Sequence, residues 1–169
     1  LVPQEKLGVV VLTNSMTGIA SKIVNEVLDE FLGGDKNDWN KKGLERERKQ
    51  KKDFFERIAK ATTPAAKDTK TSLKLADYCG TFTGNMYGDA KVELKDGALV
   101  LQLLPNKQLI ADLKHLHYDT FVIQWRNEFA WFEGGTAQFV MNNRGKIVEI
   151  KLSVPNDDLW FYELELKRK

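Results

Sequence analysis

From Leu73 to the C-terminus apolar and polar residues alternate with a period of two, which commits this half of the chain to short, half-buried strands. Val92 and Leu94 lead into Asp96-Gly97, and Leu99, Leu101 and Leu103 follow. That dipeptide between alternating runs marks a tight hairpin, because both central residues must accept a positive φ. Further strands are predicted at Gln108–Leu113, Thr120–Trp125, Glu128–Phe132 and Ala137–Met141. Asn142-Asn143-Arg144-Gly145 makes another turn, after which Val148, Ile150, Leu152 and Val154 alternate against Ile147, Glu149, Lys151 and Ser153. In the last predicted strand Trp160, Tyr162, Leu164 and Leu166 share one face, and Phe161, Glu163 and Glu165 the other. With Tyr78–Thr83 this gives about eight short antiparallel strands, the spacing of a barrel or sandwich. The predicted fold is therefore mainly β, an antiparallel barrel of about eight strands occupying residues 73–169.

Two different zones precede it. Leu7-Gly8-Val9-Val10-Val11-Leu12 is a continuous apolar run, the pattern of a strand covered on both faces. Thr13-Asn14-Ser15 supplies N-cap candidates for a helix whose apolar positions Ile19, Ile23, Val24, Val27, Leu28, Phe31 and Leu32 recur at three- and four-residue spacing up to Gly33-Gly34. Residues 1–34 thus read as a strand and a helix of an α/β domain whose other strands lie outside the chain, and the start at Leu1 reads as a piece cut from something longer. Residues 35–72 form a charged helix and linker: ten Lys and Arg fall between Lys36 and Lys60, Asn37 or Asp38 is placed to cap, and Leu44, Lys51, Phe55 and Ile58 share a narrow stripe. Thr62-Thr63-Pro64 ends that helix.

Composition narrows the function. The chain is 42% hydrophobic and 30% charged, enough for a core, and contains no apolar run long enough to span a bilayer. Its 26 Lys and Arg against 24 Asp and Glu leave +2, too balanced for a general polyanion-binding surface. The run Arg46 to Lys52 is interleaved with Glu45, Glu47 and Asp53 and has no alternating aromatics, so a solvated helix face is expected and no nucleic acid. A single cysteine, Cys79, excludes an internal disulfide.

Specific residues point to a family. Pro3 to Asn14, then Leu28-Asp29-Glu30-Phe31-Leu32-Gly33 and Asp38-Trp39, resemble the C-terminal end of the catalytic domain of serine hydrolases related to beta-lactamases and penicillin-binding proteins. Leu75-Ala76-Asp77-Tyr78-Cys79-Gly80-Thr81-Phe82, Tyr87-Gly88, Asp96-Gly97, His117-Tyr118-Asp119-Thr120-Phe121 and Phe139 to Gly145 resemble the lipocalin-like domain of unknown function appended to many such enzymes. The resemblance implies a lipocalin-like barrel, an upstream catalytic domain in the same polypeptide as partner, and a bacterial periplasmic or extracellular location. The family's catalytic motifs do not carry over. No serine is followed by lysine at the third position, none of the four tyrosines begins Tyr-x-Asn, and no Lys-x-Gly triplet lies upstream of Leu7. A serine hydroxyl without a base in reach is a poor nucleophile, so no catalytic residue is assigned and this segment is not expected to be an enzyme.

The expected role is a non-catalytic accessory domain that packs beside or modulates the parent active site, or binds a cell-envelope ligand; the alternative is a carrier of a small apolar ligand. Tyr87, Trp125, Trp131, Phe139 and Trp160 are the candidate ligand-binding residues, since pockets are largely apolar and aromatic. Small barrels are more often simply filled by such side chains. His115, His117 and Asp119 share a spacing that can hold a metal, but with two histidines in the chain no metal and no cofactor is expected. The strand Leu7–Leu12, if unpaired, would expose hydrophobic edges, so the isolated segment is expected to form a homodimer or to pack that strand against its own barrel or a neighbour.

Overall fold

A computed structural model describes residues 1–14, 17–35, 37–129, 132–156 and 158–169. The chain divides into two compact units, Leu1–Phe55 and Glu56–Lys169.

The second unit is an antiparallel barrel closed in strict chain order. Its strands are β1 (Gly80–Gly84), β2 (Gly88–Lys95), β3 (Ala98–Leu103), β4 (Ile110–His117), β5 (Thr120–Trp125), β6 (Gly135–Met141), β7 (Ile147–Ser153) and β8 (Leu166–Arg168). The short β8 closes the ring by pairing with both β1 and β7, Phe82 lying opposite Arg168 and Ile150 opposite Leu166. Hairpin β2–β3 turns at Asp96-Gly97 with φ of 50° and 81°, as the dipeptide predicts. Large and small side chains face each other across the strands: Phe82 opposite Ala90, Leu101 opposite Ala111, Phe121 opposite Ala137. This complementarity lets aromatic rings fill a narrow bore without clash. Phe82, Phe121 and Phe139 are buried there, with ring centroids 5.5–6.3 Å apart in edge-to-face contacts.

Two predicted strands are corrected. The described residues of Glu128–Phe132 are not strand; they form a loop before β6 that tucks Phe132 into the core. The segment from Trp160 does not alternate either. Asn156 folds the chain back, its side-chain oxygen accepting from the Leu159 amide at 2.6 Å and its amide group donating to the Val154 and Leu159 carbonyls. A 3-10 turn, Phe161–Leu164, follows, and only Leu166–Arg168 is strand. With three residues per turn, Phe161 and Leu164 point inward together while Trp160 and Tyr162 face out, so the predicted face of Trp160, Tyr162, Leu164 and Leu166 is split and Phe161 joins its buried half. A register shift at Val140/Met141 likewise turns Ile147 into the core with Ile150 and Leu152.

In the first unit helix α1 (Ile19–Leu32) stops at Gly33, which adopts φ 65° and donates its amide to the Asp29 carbonyl. Its N-cap is Gly18; of the predicted candidates Thr13 and Asn14 do not cap it, and Ser15 lies outside the described residues. Helix α2 (Trp39–Ala61) begins at Asp38, whose carboxylate accepts from the Lys41 amide at 2.8 Å, one of the two predicted caps. Within this unit the helices are tied by Lys22 to Glu47 and by the Trp39 indole, which donates to Asp29 at 2.7 Å. Neither helix has a buried residue among those described. The predicted strand Leu7–Leu12 is not formed: among the described residues its pairing is limited to a bridge between Val2 and Leu7, and Val10 and Leu12 are 83% and 90% exposed. A strand needs a partner ladder for its backbone groups, and none is described beside it.

Candidate functional site

The barrel's two ends differ. One receives the segment before β1, where the single helical turn Leu75–Tyr78 places the Tyr78 ring under Phe121 and Phe139, at 5.6 and 5.1 Å between centroids. The Tyr78 hydroxyl donates to Asp119 in the β4–β5 turn, and the Ser72 amide and hydroxyl donate to the same carboxylate at 2.9 and 2.8 Å. Nearby, the Tyr118 amide donates to the Thr69 hydroxyl at 3.0 Å and the Ala65 amide to Nδ1 of His117 at 3.3 Å. These bonds strap residues 65–72 across the end of the barrel. Burial and the Asp119 charge push the Tyr78 hydroxyl up to about 12. Burial also pushes the Asp119 carboxyl up, but the hydrogen bonds from Tyr78 and Ser72 outweigh it and hold the group below its ordinary value.

Ser72 beside Asp119 is the nearest thing here to a serine with a base. It cannot act as one: a carboxylate stabilised as an anion by three donors is a weak proton acceptor at neutral pH. Lys6-Leu7-Gly8 does spell Lys-x-Gly, but within the apolar run instead of before it, and Lys6 is exposed in the first unit. The histidines have structural partners: Nε2 of His115 lies 2.9 Å from the Tyr118 carbonyl, and His117 accepts from Ala65. Among the described residues no three His, Cys, Asp or Glu side chains form a metal-sized group. An open depression of about 550 Å³ beside the strap is lined by Leu73, Asp77, Lys146, Ile147 and Arg168. The Arg168 guanidinium there is already bonded to the carbonyls of Asp77, Cys79 and Ile147.

At the opposite end the loops β1–β2, β3–β4 and β7–β8 enclose an apolar cavity of about 120 Å³, lined by Tyr87, Pro105, Leu109, Leu159, Leu164 and neighbours. Of the predicted ligand-binding residues, Tyr87 lines this cavity. Trp125 instead packs with Phe129, Phe132 and Phe161, and its indole donates to the Glu133 carbonyl at 3.0 Å. Phe139 is a core residue, 2% exposed. Trp160 stands outside the cavity, stacked on Tyr162 at 6.5 Å, and Trp131 lies outside the described residues. The five therefore do not line one pocket among the described residues. The Tyr78–Asp119–Ser72 cluster was not predicted; its residues stand 41 and 47 positions apart, and only the Tyr and Asp of the resembling motifs marked them in the sequence.

Closure in chain order, a bore filled by rings and a strapped end define a small non-porous antiparallel barrel module. Residues 64–168 match the family described as a domain of unknown function, DUF3471, and the chain belongs to it. The chain is also similar to the crystal structure of the C-terminal domain of penicillin binding protein Rv0907, with 26% identity, a TM-score of 0.46, and coverage of 63% of this chain and 93% of that one. No curated protein matches it significantly.

Proposed function

We infer that the chain is the C-terminal accessory region of a beta-lactamase-like serine hydrolase, working in the bacterial periplasm or outside the cell. In this reading residues 1–34 complete an upstream catalytic domain, residues 35–72 connect, and the lipocalin-like barrel of residues 73–169 packs beside that domain and modulates its active site. The observation that carries the reading is in the first unit. Its sequence resembles the end of such a catalytic domain, yet Val10, Leu12 and Phe31 are 83%, 90% and 71% exposed. An apolar run of this kind is normally covered on both faces. Membership of the barrel in the family, and the holding of the Ser72 partner Asp119 by three donors among the described residues, fit a non-catalytic module. Two observations argue against the carrier of an apolar ligand: the apolar cavity measures about 120 Å³, against roughly 300–1,000 Å³ for pockets that hold drug-sized molecules, and the open depression of about 550 Å³ is lined in part by the charged Asp77, Lys146 and Arg168.

The test is to read the frame upstream of Leu1 for Ser-x-x-Lys and Tyr-x-Asn, then assay a chromogenic beta-lactam and a p-nitrophenyl ester. The full-length product is expected to turn over at least one, this segment neither, and deletion of the barrel to change kcat or KM of the parent. Turnover by the segment, abolished by one point substitution, would overturn the reading, as would an upstream frame without those motifs.

A further inference from the structure

We propose that the end of the barrel bearing the apolar cavity docks a peptide segment that presents Lys or Arg side chains beside one aliphatic residue. Three observations converge on the β7–β8 segment. First, Trp160 and Tyr162 are 55% and 70% exposed with their rings 18° from parallel, so aromatic faces are left to solvent. Second, residues 154–166 contain four Asp and Glu and no Lys or Arg. Asp158 and Glu165 are exposed and Glu163 is half-buried, and no ion pair among the described residues takes up any of the three. Third, Leu159 and Leu164 of the same segment line the cavity together with Tyr87, which is 43% exposed.

Each feature selects part of the occupant. Aromatic faces attract guanidinium and ammonium groups, and the adjoining carboxylates add an attraction of the same sign. On this segment an anionic partner would meet like charge. A cavity of about 120 Å³ has room for one branched aliphatic group, since cavities of roughly 150 Å³ hold a single benzene. The inference goes beyond the accessory-domain reading and stands or falls without an upstream domain.

The probe is the acetylated, amidated peptide of sequence KLKLK, with ELELE and KSKSK as controls, titrated into the whole chain. Binding is read from the indole N–H resonance of Trp160, assigned by its loss in Trp160→Ala. KLKLK should give a saturable shift that weakens with added salt, and ELELE and KSKSK should each bind roughly tenfold more weakly or not at all. Trp160→Ala with Tyr162→Ala should weaken KLKLK by about tenfold, while the thermal transition stays in place because both side chains are exposed. Glu163→Gln with Glu165→Gln should flatten the salt dependence. Equal binding of ELELE, equal binding of KSKSK, or no Trp160 shift with KLKLK at millimolar concentration would each overturn the proposal.

Discussion

Tyr78 is the residue on which the strapped end depends. Its ring is fully buried against Phe121 and Phe139, while its hydroxyl shares the Asp119 carboxylate with Ser72 and accepts from the Leu73 amide at 3.2 Å. Tyr78→Phe keeps the ring and strands two polar partners, so a loss of about 1–3 kcal/mol is expected in urea unfolding with the slope unchanged. Asp119 carries a pH signature as well. Its folded value lies below its unfolded one, so its contribution is present above roughly pH 4 and lost as the pH falls through the folded value. Asp112 beside Arg126 and Asp89 beside Lys169 shift the same way on the surface, where salt screens them. In high salt, wild type should therefore lose more stability than Asp119→Asn between about pH 5 and pH 2. Parallel stability curves for the two proteins would remove Asp119 from this role.

At the scale of elements, the 3-10 turn Phe161–Leu164 lies tightly against β1. A Cβ on Gly84 would sit 2.1 Å from the Leu164 carbonyl oxygen, which is backbone and cannot rotate away. Gly84→Ala is therefore expected to cost about 1–3 kcal/mol, whereas Gly97→Ala, with open space around it, costs only the strain of its positive φ. A larger penalty at Gly97 in thermal unfolding would contradict this account of the turn. The contrast also shows what a single sequence makes legible. Hairpin β2–β3, helix α1 and its Gly33 stop, the Asp38 cap and strands β1 to β7 follow from local periodicity and turn chemistry, because the interactions that decide them are short in sequence. The Phe161–Leu164 turn does not, because Asn156 and the approach to β1 outcompete a period-two pattern that is locally satisfactory. Pro155-Asn156 was the available signal for that break. The candidate ligand residues are dispersed for the same reason. Aromatic identity does not separate Phe139, which fills the bore, from Tyr87, which lines a cavity; only long-range register does.

The whole molecule joins parts with unequal means of support. The barrel unit contains all of the buried hydrophobic residues described, from Tyr78 to Leu166, and closes its own sheet, so it has both a core and no free edge. Helices α1 and α2 have no buried residue, and an isolated helix of 14 residues such as α1 is marginal in water without a packed face. Separating the parts should reveal the difference. A fragment of residues 56–169 is expected to keep a cooperative thermal transition and to scatter light as a monomer. A fragment of residues 1–55 is expected to show little helix by circular dichroism at micromolar concentration. The intact chain, still displaying Val10, Leu12 and Phe31, should self-associate with rising concentration, because apolar side chains left in water associate wherever they can. Substituting Val10, Leu12 and Phe31 with Ser should abolish that association without moving the barrel's transition. An intact chain that stays monomeric at the highest soluble concentration would show that these side chains find their cover within one molecule, and the case for a missing catalytic partner would lose its main physical support.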